Sequence, residues 1–136
     1  MVNGVILQKL QTMDEMLLEL RTVVPVTTGQ LNEDWRTRRA IERSLQVLTE
    51  IVIDICQRII SLVGQAPAVT GVDGVRRCVQ LGVLSSVEPY RKMVQFRNFV
   101  VHRYERIDTA ILVDIVNHRL SDFELFSREV MQYVSR

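Results

Sequence analysis

Residues 41–63 read IERSLQVLTEIVIDICQRIISLV. Ile41, Leu45, Leu48, Val52, Ile55, Cys56, Ile59 and Val63 recur there at three- and four-residue steps. That is the period of one helical face. The pattern reaches back to about Asn32 and predicts a helix far longer than the globular mean. A helix of this length reads as the spine of an all-α fold. Its later half carries Ile51, Val52, Ile53 and Ile55 on more than one side. Such a helix is buried centrally or faces a second subunit.

The flanking sequence repeats the pattern. Leu7, Leu10, Met13, Leu17 and Leu20 predict a first helix over about Val2 to Val23. Pro25 to Gly29 breaks it. After the spine, Gly64 to Gly74 with Pro67 reads as a loop. A short helix follows, about Gly74 to Leu81, stopping near Gly82. Ser85-Ser86-Val87-Glu88 has the spelling of a capping box, and Pro89 suits a first helical turn. The next helix runs to about Ile107. Asp108-Thr109 spells an N-cap for a last helix to about Val134, with a bend near His118 to Ser121. No segment alternates with a period of two. The expectation is an up-and-down helical bundle of four long helices and one short.

The chain has 136 residues, 47% of them hydrophobic and 24% charged. That suits a single domain over 1–136 with a real core. The net charge of +1 does not announce nucleic acid. Local charge says more: residues 86–107 carry five Arg or Lys against two Glu, whereas 108–136 carry five acids against three Arg. Cys56 and Cys78 lie in apolar helical settings without disulfide or zinc spacing, and read as buried free thiols. No stretch has the layout of a secretory leader or about 18 uninterrupted apolar residues. The expectation is a soluble, cytoplasmic protein.

The run Arg97-Asn98-Phe99-Val100-Val101-His102-Arg103-Tyr104 places a titratable group beside a fixed cation. Histidine changes charge near neutral pH, and arginine forks onto phosphate oxygens. With Arg97 at zero on a helical wheel, Tyr104 falls at about −20°, Asn98 at about 100° and His102 at about 140°. Phe96, Phe99, Val100 and Ile107 take the other side and read as the core face. The open face then also carries Tyr90, Val94 and Val101. Apolar and reactive groups on one face suggest a homodimer with this helix near the two-fold axis. Each cleft would draw on both copies. Cutting RNA needs a 2′-hydroxyl deprotonated, charge on phosphorus stabilised and the leaving 5′-oxygen protonated. A histidine tuned near pH 7 can do either transfer, and an arginine can hold the charge. Asn98, one turn before His102, can orient the imidazole or bond a phosphate oxygen. Tyr104 can position substrate or stack a base. No metal-ligand spacing accompanies them, and no cofactor is expected.

Other residues carry blander readings. A histidine on an amphipathic helix is usually a surface or interface residue. Glu50 and Asp54 sit one turn apart in an apolar stretch, so they are expected to need a cation such as Arg97 or Arg103. They form either a structural ion pair or a clamp that aims Arg97. Trp35 with Arg36, Arg38, Arg39 and Arg43 is either an RNA or partner surface, or a solvated helix start. His118-Arg119 reads as an exposed helix feature. Met13, Met16, Met93 and Met131 read as core filler.

Arg97, four residues, His102, one residue, Tyr104 resembles the signature of HEPN-domain proteins of the HepT-like toxin family. Lys92 to Asn98 resembles that family's lead-in, Tyr104 to Asp108 its exit, and Arg119 to Phe123 its late stretch. The spine from Ala40 to Ile60, with Glu50 and Asp54, is similar too. The resemblance covers essentially the whole chain. It implies a small all-α homodimer and a metal-independent endoribonuclease, acting as toxin in a type VII-like toxin–antitoxin pair. The implied partner is an MntA-like nucleotidyltransferase antitoxin. Arg97 and His102 become the catalytic pair, with Asn98, Glu50 and Asp54 supporting. Tyr104 becomes the acceptor of AMP. An added phosphate and nucleoside beside Arg97 would neutralise the cation and block RNA entry. Two alternatives stay open: a non-catalytic helical module that binds a nucleotidyltransferase partner, and a purely structural helical dimer.

Overall fold

The spine of the bundle is Trp35–Leu62, an unbroken helix of 28 residues. The computed structural model describes residues 3–101 and 108–136, and of residues 98–101 the backbone alone. Among them the chain forms α1 (Gly4–Arg21), α2 (Thr28–Glu33), α3 (Trp35–Leu62), α4 (Gly71–Gln80), α5 (Glu88–Val101), α6 (Thr109–His118) and α7 (Leu120–Val134). No strand occurs among the described residues. The all-α bundle is as expected, but two of the expected long helices are each divided.

The first division falls at Asp34. Its carboxylate accepts the amides of Arg36 and Thr37, both at 3.2 Å, and the Thr37 hydroxyl at 2.7 Å. That caps a new helix and ends the old one. The preceding piece, α2, begins with a reciprocal capping box. The Thr27 hydroxyl accepts the Gln30 amide, and the Gln30 side chain accepts the Thr27 amide. The break expected over Pro25 to Gly29 therefore holds a helix start. The second division falls at Arg119, where a bend was expected and the helix restarts. Asp108 caps α6 as expected, accepting the Ala110 amide at 2.8 Å. The expected capping box at Ser85 and Glu88 does not form. The Ser85 amide donates to Glu129 of α7 at 2.9 Å, and Glu88 pairs with Arg91 instead. Gly82 takes φ +79° after α4, the left-handed stop expected of it.

One apolar cluster draws on all seven helices. Ile6, Leu10, Met13, Leu31, Leu45, Val75, Tyr90, Leu112 and Phe126 are among its closed-off members. Cys56 and Cys78 are buried free thiols within it. Met13 and Met93 are core as read, whereas Met131 is exposed. Arg38, grouped by sequence with a surface patch, is buried. It bonds Glu42 at 2.9 Å and donates to the Thr109 hydroxyl. Thr109 in turn donates to Asn32 at 3.0 Å. These bonds pin the start of α6 to the α2–α3 junction. Two side-chain amides hold the loops. Asn117 grips both backbone groups of Val26, and Gln57 grips both of Ala68.

Candidate active site

Helix α5 carries the reactive run, and its buried face differs from the expected one. Tyr90 has no exposed surface, and Val94 and Phe96 are closed off with Met93. With Arg97 at zero, Phe96, Met93, Tyr90 and Val94 fall at about −100°, −40°, 20° and 60°. The buried arc is therefore centred on Arg97's own direction. Tyr90 and Val94 do not belong to an open face. α3, α4 and α7 all pack against α5, and together they enclose this wide arc. Arg97 continues the same stripe by one turn and is exposed. The stripe changes from core to solvent at the arginine.

Tyr90 anchors the lower end of the helix. Its ring meets Phe126 edge-on, with centroids 5.6 Å apart, and its hydroxyl donates to Glu129. Burial, then the bond to Glu129, pushes its pKa far above the ordinary tyrosine value. Gly71 fixes the middle. A Cβ there would meet Val94 at 3.2 Å and Ile53 at 3.4 Å, so α4 approaches α3 and α5 as closely as glycine allows.

The acids of α3 do not hold Arg97. Glu50 is exposed and accepts from Gln46 at 3.2 Å. Asp54 is half-buried between Lys9 of α1 and Arg58, each at 2.9 Å. Burial alone would raise the Asp54 carboxyl. The bonds from Arg58 and Lys9 outweigh it and keep the pKa below the ordinary value. Asp54 is ion-paired to cations other than the expected ones, whereas Glu50 is bonded by Gln46. Arg58 was legible at four residues' spacing; Lys9 comes from another helix and was not. The side chain of Asn98 and all of His102, Arg103 and Tyr104 lie outside the described residues.

A cavity of about 350 Å³ opens beside Lys92, Met93 and Phe96, between α5, α6 and α7. Ile111, Ile115 and Phe123 line it, and Asp114, Arg119 and Asp122 ring it. Burial raises the pKa of Asp122, against the pull of Arg119 and Lys92. His118 is exposed, as read. Among the described residues no three His, Cys, Asp or Glu side chains gather as metal ligands. No described helix is long and apolar enough to cross a membrane.

The family described as ribonuclease HepT-like matches residues 13–130. The chain belongs to the HepT-like ribonuclease family. The span runs from the middle of α1 almost to the end of α7 and takes in α2 to α6 whole. A curated relative, the mRNA nuclease HepT of Shewanella oneidensis, is 26% identical over 127 residues, covering 92% of this chain and 95% of the relative. The fold is similar to a tri-AMPylated Shewanella oneidensis HEPN toxin solved with its MNT antitoxin. The TM-score is 0.84 at 25% identity, over 96% of this chain and 99% of that one. It is likewise similar to a mutant MntA–HpeT toxin–antitoxin complex, with TM-score 0.81 and 26% identity over 96% and 99%. In this HepT-like chain, α5 turns from core to solvent at Arg97, the first residue of the run Arg97-x4-His102-x-Tyr104.

Proposed function

We propose that this HepT-like protein is a toxin that cuts RNA without a metal ion, using Arg97 and His102. The single observation that carries this reading is the exposed Arg97 at the head of the signature, in a chain matched by the family over nearly its whole length. The 2′-oxygen attacks phosphorus while His102 takes its proton. Arg97 holds the charge that grows on the phosphate oxygens. The P–O5′ bond breaks, and the 5′-oxygen leaves with a proton from an imidazolium. Asn98 orients the imidazole. Asp54, bound to Lys9 and Arg58, supports α3 rather than gripping Arg97.

A homodimer supplies the cleft, and the whole chain acts as one cytoplasmic domain. Tyr90 and Val94 are core and take no part in that interface; Arg97 opens to solvent where the stripe leaves the core. The antitoxin is an MntA-like nucleotidyltransferase. The Tyr104 oxygen attacks the α-phosphorus of ATP, pyrophosphate leaves, and AMP stays on the tyrosine. The tri-AMPylated state of the similar Shewanella toxin supports this route. The added phosphate neutralises Arg97 and silences the cleft.

The test is RNA cleavage by purified protein in EDTA, with total tRNA and mRNA as substrates. Wild type cuts, and His102→Ala and Arg97→Ala do not. Cleavage that survives in both variants excludes the assignment. No cleavage by wild type whose Tyr104 is unmodified by mass spectrometry favours the binding module instead.

A further inference from the structure

The start of α3 carries a second surface suited to nucleic acid. Trp35 is the chain's one tryptophan, and 57% of its surface is open. The guanidinium carbons of Arg36 and Arg39 stand 5.3 and 5.4 Å from its ring centroid. Arg43, a turn beyond Arg39, is exposed on the same side. Arg38 is turned inward, and Asp34 is occupied in capping α3. Three cations and an indole face therefore remain on the solvent side.

Their position ties them to the motif. Ile53 lies 18 residues after Trp35, about five full turns, and so shares its face of α3. Ile53 and Val94 of α5 both close on Gly71. The stripe headed by Trp35 thus lies on the side of α3 that meets α5. At the other end Arg38 bonds Thr109, the first residue of α6. Val94 thus lies near Ile53, and Thr109 near Arg38. Arg97 follows Val94 by about one turn on α5.

We infer that Trp35, Arg36, Arg39 and Arg43 bind a single-stranded stretch of RNA beside the bond to be cut, an inference that rests on the ribonuclease reading. A base stacks on the indole, and the arginines move onto its flanking phosphates. Every base offers a π-face, so this contact is tolerant of sequence. Phosphate, spaced along the strand, is the anion that three arginines along one helix face match.

The lone tryptophan reports its own occupancy. The full-length protein is titrated with an oligouridine bearing 2′-O-methyl groups, which cannot be cut, while indole emission is followed. Emission falls saturably, and the titration weakens as salt is raised. Arg39→Ala weakens it by about tenfold, in the range of one lost stacking or phosphate contact. In cleavage of natural RNA, Trp35→Ala raises KM and leaves kcat in place. Unchanged emission from a protein that still cuts RNA overturns the inference. So does emission that changes on dilution of the protein alone, or with antitoxin and not with oligouridine; those results assign the face to a second copy or to the antitoxin. Quenching in a protein that cuts nothing keeps the surface and removes the nuclease reading.

Discussion

Arg97 is exposed although it stands in the direction of the buried stripe of α5, so its substitution separates chemistry from stability. Arg97→Ala lowers cleavage by about 10²–10³-fold, the effect of deleting a charge-stabilising donor. Its melting temperature stays within a few degrees of wild type, as for other surface changes. Calorimetry beside the cleavage assay reads both, and a large loss of melting temperature contradicts the placement. Tyr90 is the opposite case. Tyr90→Phe removes the donor to Glu129 and costs about 1–2 kcal/mol in urea unfolding. The raised pKa of Tyr90 adds a second mark. Its stability is complete below the unfolded value near pH 10 and is lost as pH rises beyond it, so the variant loses less than wild type in alkali. Asp54 titrates at the other end of the scale. Its lowered pKa gives stability present above about pH 3.9 and lost as pH falls through the folded value. Urea midpoints of wild type and Asp54→Asn therefore converge on acidification from pH 5 to 2; a gap that stays constant denies the Lys9 and Arg58 pairing.

Element boundaries followed local hydrogen bonds more than hydrophobic period. Sequence reading predicts a single helix through about residues 32–63, on an apolar row that begins at Ile41. The side chain of Asp34 decides otherwise, by accepting the amides of Arg36 and Thr37. Thr27 and Gln30 spell a capping box as clearly as Ser85 and Glu88 do, yet only the first pair forms. Glu129 reaches the Ser85 amide from α7, and no local spelling discloses that competitor. Thr27→Ala therefore costs about 1 kcal/mol, whereas Ser85→Ala leaves stability nearly unchanged, because its amide still reaches Glu129. Comparing the two urea midpoints checks the assignment, and equal losses contradict it. Phe96 is closed off and lines the cavity beside α5. Phe96→Ala lowers stability by about 3–5 kcal/mol in the same measurement.

At the scale of the whole molecule, a cleft drawn from two copies makes a distinct demand. Arg97→Ala and His102→Ala are each inactive alone. Co-expressed, they regain cleavage if one cleft of the mixed dimer holds an intact arginine from one copy and an intact histidine from the other. No recovery, with mixed dimers present by mass spectrometry, places both groups on one chain. The sequence by itself determined the helical class, the order of the helices, the reactive run and the family signature, because period, capping spelling and motif spacing are local properties of a chain. Only the tertiary structure decided which side of α5 is core, that Lys9 joins Arg58 at Asp54, that Arg38 points inward, and that the Trp35 stripe shares a side of α3 with the motif helix. Each of these depends on a neighbour far away in sequence, and burial is set by what packs against a face rather than by the face itself.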